Sequence, residues 1–235
     1  MYPGKSIAIL FFLFLLSTEV FCQDIPDDYQ LLYEQDFSSN TALNEFETTD
    51  ASSWRISDQS LEIYKAGNYE PKVRSPFNIA MLKSLKFGDF ILEADLQQTG
   101  KEYGHRDLCI FFGMKNHSNF YYSHIASKPD PHSHNIFLVN DEPRIAIGKR
   151  TNEGINWGNT NEWHKIRIER NIDSGSIKIY FDDIEKPIME TNDLHFDYGH
   201  IGFGTFDDTG KFDNIKIWGP DFAPDNDSFF PHPLR

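Results

Sequence analysis

The stretch 90–96, Phe-Ile-Leu-Glu-Ala-Asp-Leu, opens on two apolar residues and then alternates apolar with polar. That two-residue period belongs to a strand with one face on a core and the other toward solvent or ligand. Runs of the same kind cover 108–114, 120–126, 135–139, 144–147, 163–170, 176–181, 201–206 and 212–218. Turn-forming clusters separate them, among them Lys115-Asn116-His117-Ser118, Asn140-Asp141-Glu142-Pro143, Asp173-Ser174-Gly175 and Asp207-Asp208-Thr209-Gly210. No stretch keeps a helical period long enough for a major helix, and the polar segment 40–53 reads as a loop or a short helix. Many short strands divided by turns predict an all-β fold, an antiparallel two-sheet jelly-roll sandwich. Beyond Trp218, Gly219-Pro220 and the proline-rich end exclude a further central strand. No internal repeat or linker divides the chain.

The first residues depart from this pattern. Lys5 precedes the apolar run Ile7 to Leu16, which has the length of a signal-peptide core and is too short to span a membrane comfortably. Residues 1–22 are expected to be a signal peptide cut after Cys22, since Phe21 is the wrong neighbour for a lipid-bearing cysteine. That leaves 23–219 as the sandwich, 220–235 as a Pro-rich tail, no transmembrane span, and a secreted, periplasmic or cell-surface location. With 22 Lys and Arg against 36 Asp and Glu the net charge is −14, which argues against nucleic acid as a partner. Without Cys22, Cys109 is the one remaining thiol, so no internal disulfide forms and stability must come from the core. Within Leu108-Cys109-Ile110-Phe111-Phe112, Cys109 reads as a small buried hydrophobe.

Several of these segments resemble a known superfamily. Tyr33 to Phe37, Trp54 and Gly88 to Asp95 are similar to the start of a concanavalin A-like lectin/glucanase domain. Glu162 to Ile168, the hairpin through Asp173-Ser174-Gly175 to Asp183, and Gly199 to Gly204 followed by Phe212-Asp213-Asn214-Ile215 resemble laminin G-like and 3-keto-disaccharide hydrolase-like members. The resemblance spans roughly residues 30 to 219 and implies a concave sheet that meets a poly- or oligosaccharide. It implies no required cofactor, and a structural calcium ion with Asp36 and Asp213 as its ligands. Such sandwiches host binders and enzymes alike, so a polysaccharide lyase, a glycoside hydrolase and a laminin G-like surface interaction module stay open beside a carbohydrate-binding protein. Oligomeric state is not legible.

The candidate chemistry is concentrated in the middle of the chain. Tyr122 and His124 share one strand face, and the following loop delivers His132, His134 and Asn135. A lyase acting on a uronate polymer needs a Tyr or His base, an acid, and Arg, Asn or His to neutralise a carboxylate. Tyr122, His124 and His134 are thus the candidate catalytic residues. Arg106, Asp107, Tyr121, Asn135, Lys149 and Trp157 are the candidate substrate-binding residues. Tyr103, Tyr121, Tyr122 and Trp157 are expected to be exposed stacking platforms for sugar rings, and Trp54, Trp163 and Trp218 to be core. Glu93 and Asp95 share a strand face as a glycosidase pair would, but the Glu-x-Asp-x-x-Glu pattern of retaining glucanases is broken by Gln98. Asp130, His132 and His134 offer metal donors without the spacing of a zinc motif.

Overall fold

The computed structural model describes residues 25–225 and 228–230, so the expected signal peptide and its Cys22 lie outside the described residues. The strands in chain order are β1 (Gln30–Gln35), β2 (Phe46–Thr48), β3 (Trp54–Ser57), β4 (Ser60–Ile63), β5 (Asn78–Leu82), β6 (Ser84–Lys86), β7 (Phe90–Gln98), β8 (Asp107–Asn116) and β9 (Asn119–Ala126). They continue as β10 (Asn135–Asn140), β11 (Ile145–Ala146), β12 (Lys149–Arg150), β13 (His164–Arg170), β14 (Ser176–Phe181), β15 (Met189–Asn192), β16 (His200–Thr205), β17 (Gly210–Gly219) and β18 (Ala223–Asp225). The polar segment 40–53 supplies two short 3₁₀ turns, Asn40–Glu45 and Ala51–Ser53, on either side of β2. Ser39 and Asp50 start them, each side chain accepting from a backbone N–H two residues on.

These strands form two large antiparallel sheets. The first runs β12-β15-β14-β13-β7-β17-β4-β3, and β1 pairs with the far half of β17. The second runs β11-β10-β9-β8-β16-β5-β2. Between them lies the main core, built from alternate residues of facing strands: Leu92, Ala94, Leu96, Ile166, Ile168, Ile177, Ile179, Ile215 and Ile217 from one sheet, and Leu108, Ile110, Phe112, Tyr121, Ile136, Leu138, Ile201 and Phe203 from the other. The β13–β14 hairpin turns at Gly175, whose φ of 73° suits glycine. Gly204 on β16 is required for space, because a Cβ there would stand 1.8 Å from the carbonyl oxygen of Asn78 on the adjacent strand.

The two outer faces differ in kind. On the first sheet most outward positions are polar, with Ile91 and Trp218 among the apolar exceptions, and a polar row Glu34–Lys216–Glu93–Arg167–Tyr180 runs across β1, β17, β7, β13 and β14. On the second sheet the apolar outward positions Ile79, Met81, Cys109, Phe111, Met114, Phe120, Tyr122, Phe137 and Val139 form a second buried cluster. Tyr69, Val73, Phe206, Phe229 and Phe230 pack over it. The second sheet is therefore buried on both sides.

Among the described residues beyond Gly219 none joins either large sheet, in keeping with their prolines. Ala223–Asp225 instead pairs with Ser84–Lys86 as a separate two-stranded ribbon. The carboxylate of Glu47 then accepts from Ser228 Oγ (2.5 Å), Phe229 N (3.0 and 3.1 Å) and Phe230 N (2.9 Å), which fastens residues 228–230 over the second sheet.

Candidate functional site

On β8 the outward positions Asp107 and Cys109 are two residues apart, and His124 on β9 stands directly opposite Cys109. The Cys109 thiol donates to Asp107 Oδ2 at 3.2 Å, and Thr205 Oγ1 donates to Asp107 Oδ1 at 3.2 Å. His124 Nε2 lies 3.2 Å from the same Oδ2 but is not aligned for a hydrogen bond. The other ring nitrogen, Nδ1, is 3.1 Å from the backbone carbonyl of His132. Burial opposes ionisation of Asp107, yet the neighbouring His124 ring and the thiol donor bring its carboxyl below the ordinary value. Burial, reinforced by the Asp107 charge, pushes the Cys109 thiol well up.

Asp208 borders this group. Its Oδ2 accepts from Asp107 N at 2.8 Å and from Tyr103 OH at 3.1 Å. Burial, with Asp107 as the next cause, raises its pKa to about 7. Arg144 crosses above the sheet with its guanidinium 4.1 Å from the Phe206 ring centroid and 5.3 Å from that of Phe137, and its Nη2 donates to the His132 carbonyl at 3.0 Å. Tyr122 lies beneath, stacked on Phe137 at 5.1 Å, and burial drives its hydroxyl pKa well up. A proton-abstracting tyrosine needs the opposite shift and access to substrate. Tyr122 has neither.

The other residues singled out in the sequence are dispersed. His134 is buried with both ring nitrogens engaged, Nδ1 by Ala126 N and Nε2 by Asn152, and burial lowers its pKa. His132 is exposed and Asp130 pairs with His105 at 2.7 Å, so the loop donors do not converge. Arg106 is no substrate clamp: it is buried and spends its guanidinium on Gln98 and the Gly158 carbonyl. Asn135 accepts from Gly148 N. Tyr121 and Trp157, expected as exposed sugar platforms, are instead core residues at 0% and 1% exposure, because their strand and loop positions point between the sheets. Tyr121 also holds Asp193 and accepts from Phe196 N. Trp163 reverses its expectation in the other sense, being 42% exposed, and Trp218 is half-buried on the outer face of the first sheet. Tyr103 is exposed at 44%.

Asp36 is exposed and accepts from Ser38 N, closing its own turn. Asp213 is half-buried and its pKa is raised by burial and by the charges of Asp95 and Asp36. Among the described residues, the sets of three or more His, Cys, Asp or Glu donors that converge are Asp107/Cys109/His124 and Asp107/Asp207/Asp208, and neither contains Asp36 or Asp213.

An open concavity lies on the outer face of the first sheet. A cleft of about 740 Å³ is lined by Tyr29, Ile91, Arg167, Glu169, Asn171 and Lys178, among others. An adjoining hollow of about 350 Å³ shares Ser176 and Lys178 with it and adds Lys149, Glu190 and Asn192. Lys149 is therefore the one candidate binding residue from the central segment that sits on this face. The floor is rigid: Arg167 donates to Glu93 and to Glu169 at 2.9 Å each, and Tyr180 OH reaches Glu169 at 3.3 Å. Glu93 and Asp95 are thus held by cations, Asp95 by Lys165 at 3.1 Å, and do not flank an open space as a glycosidase pair would. Sequence reasoning did not single out this cleft. Its signal was the alternation of charge on the outward positions of β7, β13 and β14.

No protein-family model and no curated protein matches the sequence. Solved structures do resemble the chain. A carbohydrate binding module, CBM66, from Bacillus subtilis is 19% identical with a TM-score of 0.54, over 74% of this chain and 94% of that one. A Bacillus subtilis protein of unknown function with a galectin-like fold is 12% identical with a TM-score of 0.58, over 80% of this chain and 97% of its own. The winged bean acidic lectin, solved with methyl-α-D-galactose, is 10% identical with a TM-score of 0.50, over 84% of this chain and all of its own. Two packed antiparallel sheets in this company give the chain the concanavalin A-like jelly-roll fold.

Proposed function

We propose that the chain is a carbohydrate-recognising module that holds a poly- or oligosaccharide in the cleft on the outer face of its first sheet. The observation that carries this reading is the combination there of an open concavity with fixed polar groups. Arg167 is locked between two carboxylates, and Lys178, Asn171 and Glu169 line the same cleft as Tyr29. Saccharides are held by such sets, hydroxyls pairing with charged and amide groups while a C–H face lies on an aromatic ring. The neighbours in fold include a carbohydrate binding module and a lectin, which supports the same reading. Burial of Tyr122 and His124 beneath Arg144 and Phe206 favours binding over turnover.

The test is binding of the purified protein to a glycan array, followed by calorimetry on any ligand found. Lys178→Ala and Tyr29→Ala are each expected to weaken binding by roughly tenfold, the loss of a charged hydrogen-bonding group or of a stacking face, and Asn171→Ala, whose amide is already engaged by Asp89 and Ser174, by roughly threefold. Products released from the same glycans, or binding indifferent to all three variants, would overturn the reading.

A further inference from the structure

We propose that Asp107, Cys109 and His124 form a binding site for a zinc-class divalent ion on the outer face of the second sheet. The three donors come from a short Asp-x-Cys stretch of β8 and the histidine opposite it on β9, so the ladder itself sets their spacing. Their ligand atoms lie within 4.8 Å of one another, with Asp107 Oδ2 3.2 Å from both Cys109 Sγ and His124 Nε2. Donors bound at about 2.0–2.3 Å around a tetrahedral zinc ion stand about 3.3–3.5 Å apart, so small side-chain adjustments suffice. Thiolate, imidazole and carboxylate together select zinc over calcium or magnesium.

The orientation of His124 is an independent sign. Its Nδ1 faces the His132 carbonyl, which only accepts, so Nδ1 carries the proton. Nε2, the other ring nitrogen, stands 3.2 Å from a carboxylate oxygen of Asp107. The Nε2 atom is buried, makes no hydrogen bond, and belongs to a residue only 4% exposed. A ring nitrogen and a carboxylate oxygen held this close in a dry site share one cation, a proton in the metal-free protein and a metal ion in its place once the site is loaded. The outer groups also match a metal site: a backbone carbonyl fixes the histidine tautomer and Thr205 fixes the carboxylate. Arg144 and the aromatic cover of the sheet keep water out.

Cobalt(II), then zinc(II), would be titrated into the purified protein after refolding under reducing, metal-free conditions. One equivalent of cobalt should bind with a thiolate-to-cobalt charge-transfer band, zinc should displace it, and zinc should raise Tm. Cys109→Ser should abolish the band, and Thr205→Val, which keeps all three ligands, should keep the band with affinity reduced by about tenfold or more. Should Cys109→Ser fail to fold, the parent and Thr205→Val measurements decide alone. A folded parent protein without the band, a band that persists in folded Cys109→Ser, or binding of magnesium or calcium alone through the Asp107/Asp207/Asp208 set would overturn the proposal.

Discussion

Replacing Glu47 with alanine should loosen residues 228–230 from the second sheet. The carboxylate accepts from three donors of residues 228–230, and Phe230 beyond it is 4% exposed against Tyr69 at 5.7 Å between ring centroids. If the end stays in place without Glu47, the buried Phe230 N–H loses its acceptor, at a cost of about 1–3 kcal/mol, and the hydrogen bonds from Ser228 and Phe229 are lost as well. If it leaves, the burial of Phe230 is lost, worth about 1.5–3 kcal/mol, and the apolar outer face of the second sheet is uncovered, while about three residues regain backbone freedom. Both routes give a net loss of roughly 2–4 kcal/mol. For a domain of this size that lowers Tm by about 5–15 °C. Thermal melts followed by circular dichroism, with a hydrophobic dye as a second signal, measure it. Glu47→Gln keeps the shape and one acceptor oxygen and should fall between alanine and the parent. A Glu47→Ala protein that melts within about 1 °C of the parent, with no added dye binding, would refute the idea that this carboxylate clamps the cover.

Three further outcomes follow from the same structure. Arg167→Ala leaves Glu93, 3% exposed, without its main counter-charge and should cost about 3–5 kcal/mol in chemical denaturation, whereas Arg167→Met paired with Glu93→Leu should recover most of it. Tyr121→Phe removes the hydroxyl shared by Asp193 and Phe196 N and should lower stability by about 1–2 kcal/mol while glycan binding stays unchanged, because the ring is core. Burial lowers the pKa of His200 below its ordinary 6.5, so its share of stability is complete above pH 6.5 and falls as pH drops toward the folded-state value, where the unfolded chain takes up the proton first. His200→Asn should flatten that part of the pH–stability curve, measured by urea unfolding.

From β7 onward the longer strands were legible because their runs are bounded by turn residues, whereas β12, β15 and β18, of two to four residues each, were not. Before residue 88, β2, β3, β4 and β6 have three or four residues each, too few positions to show a period, while β1 has no buried position and β5 is buried at every position, so neither alternates. The site was less legible than the fold. Tyr121 and Tyr122 are adjacent in sequence and therefore point to opposite faces of β9, one into each apolar cluster. Nothing in a period of two says that both faces are covered. Cys109 read as a small hydrophobe, and it is buried as one. One polar neighbour, Asp107, lies two residues before it on β8, but His124 comes from β9, and only the sheet register brings it there.

One signal for the covered face was present all the same. Strands of the first sheet alternate, as in Phe-Ile-Leu-Glu-Ala-Asp-Leu or His-Lys-Ile-Arg-Ile-Glu-Arg, and they show solvent one polar face. Strands of the second are nearly continuous in apolar residues, as in Leu-Cys-Ile-Phe-Phe and Ile-Phe-Leu-Val, which is the mark of a strand buried on both sides. The distinction bears on function. A sheet whose two faces are apolar must be covered by the rest of the chain, here by Tyr69, Val73, Phe206 and the fastened Phe229-Phe230. Such a face offers a large hydrophilic ligand few hydrogen-bonding partners, and the polar residues it does carry are walled off from solvent. That setting suits an ion held by Asp107, Cys109 and His124 and does not suit a sugar. The alternating sheet, with its charges paired in rows and its cleft open, has the groups a saccharide requires.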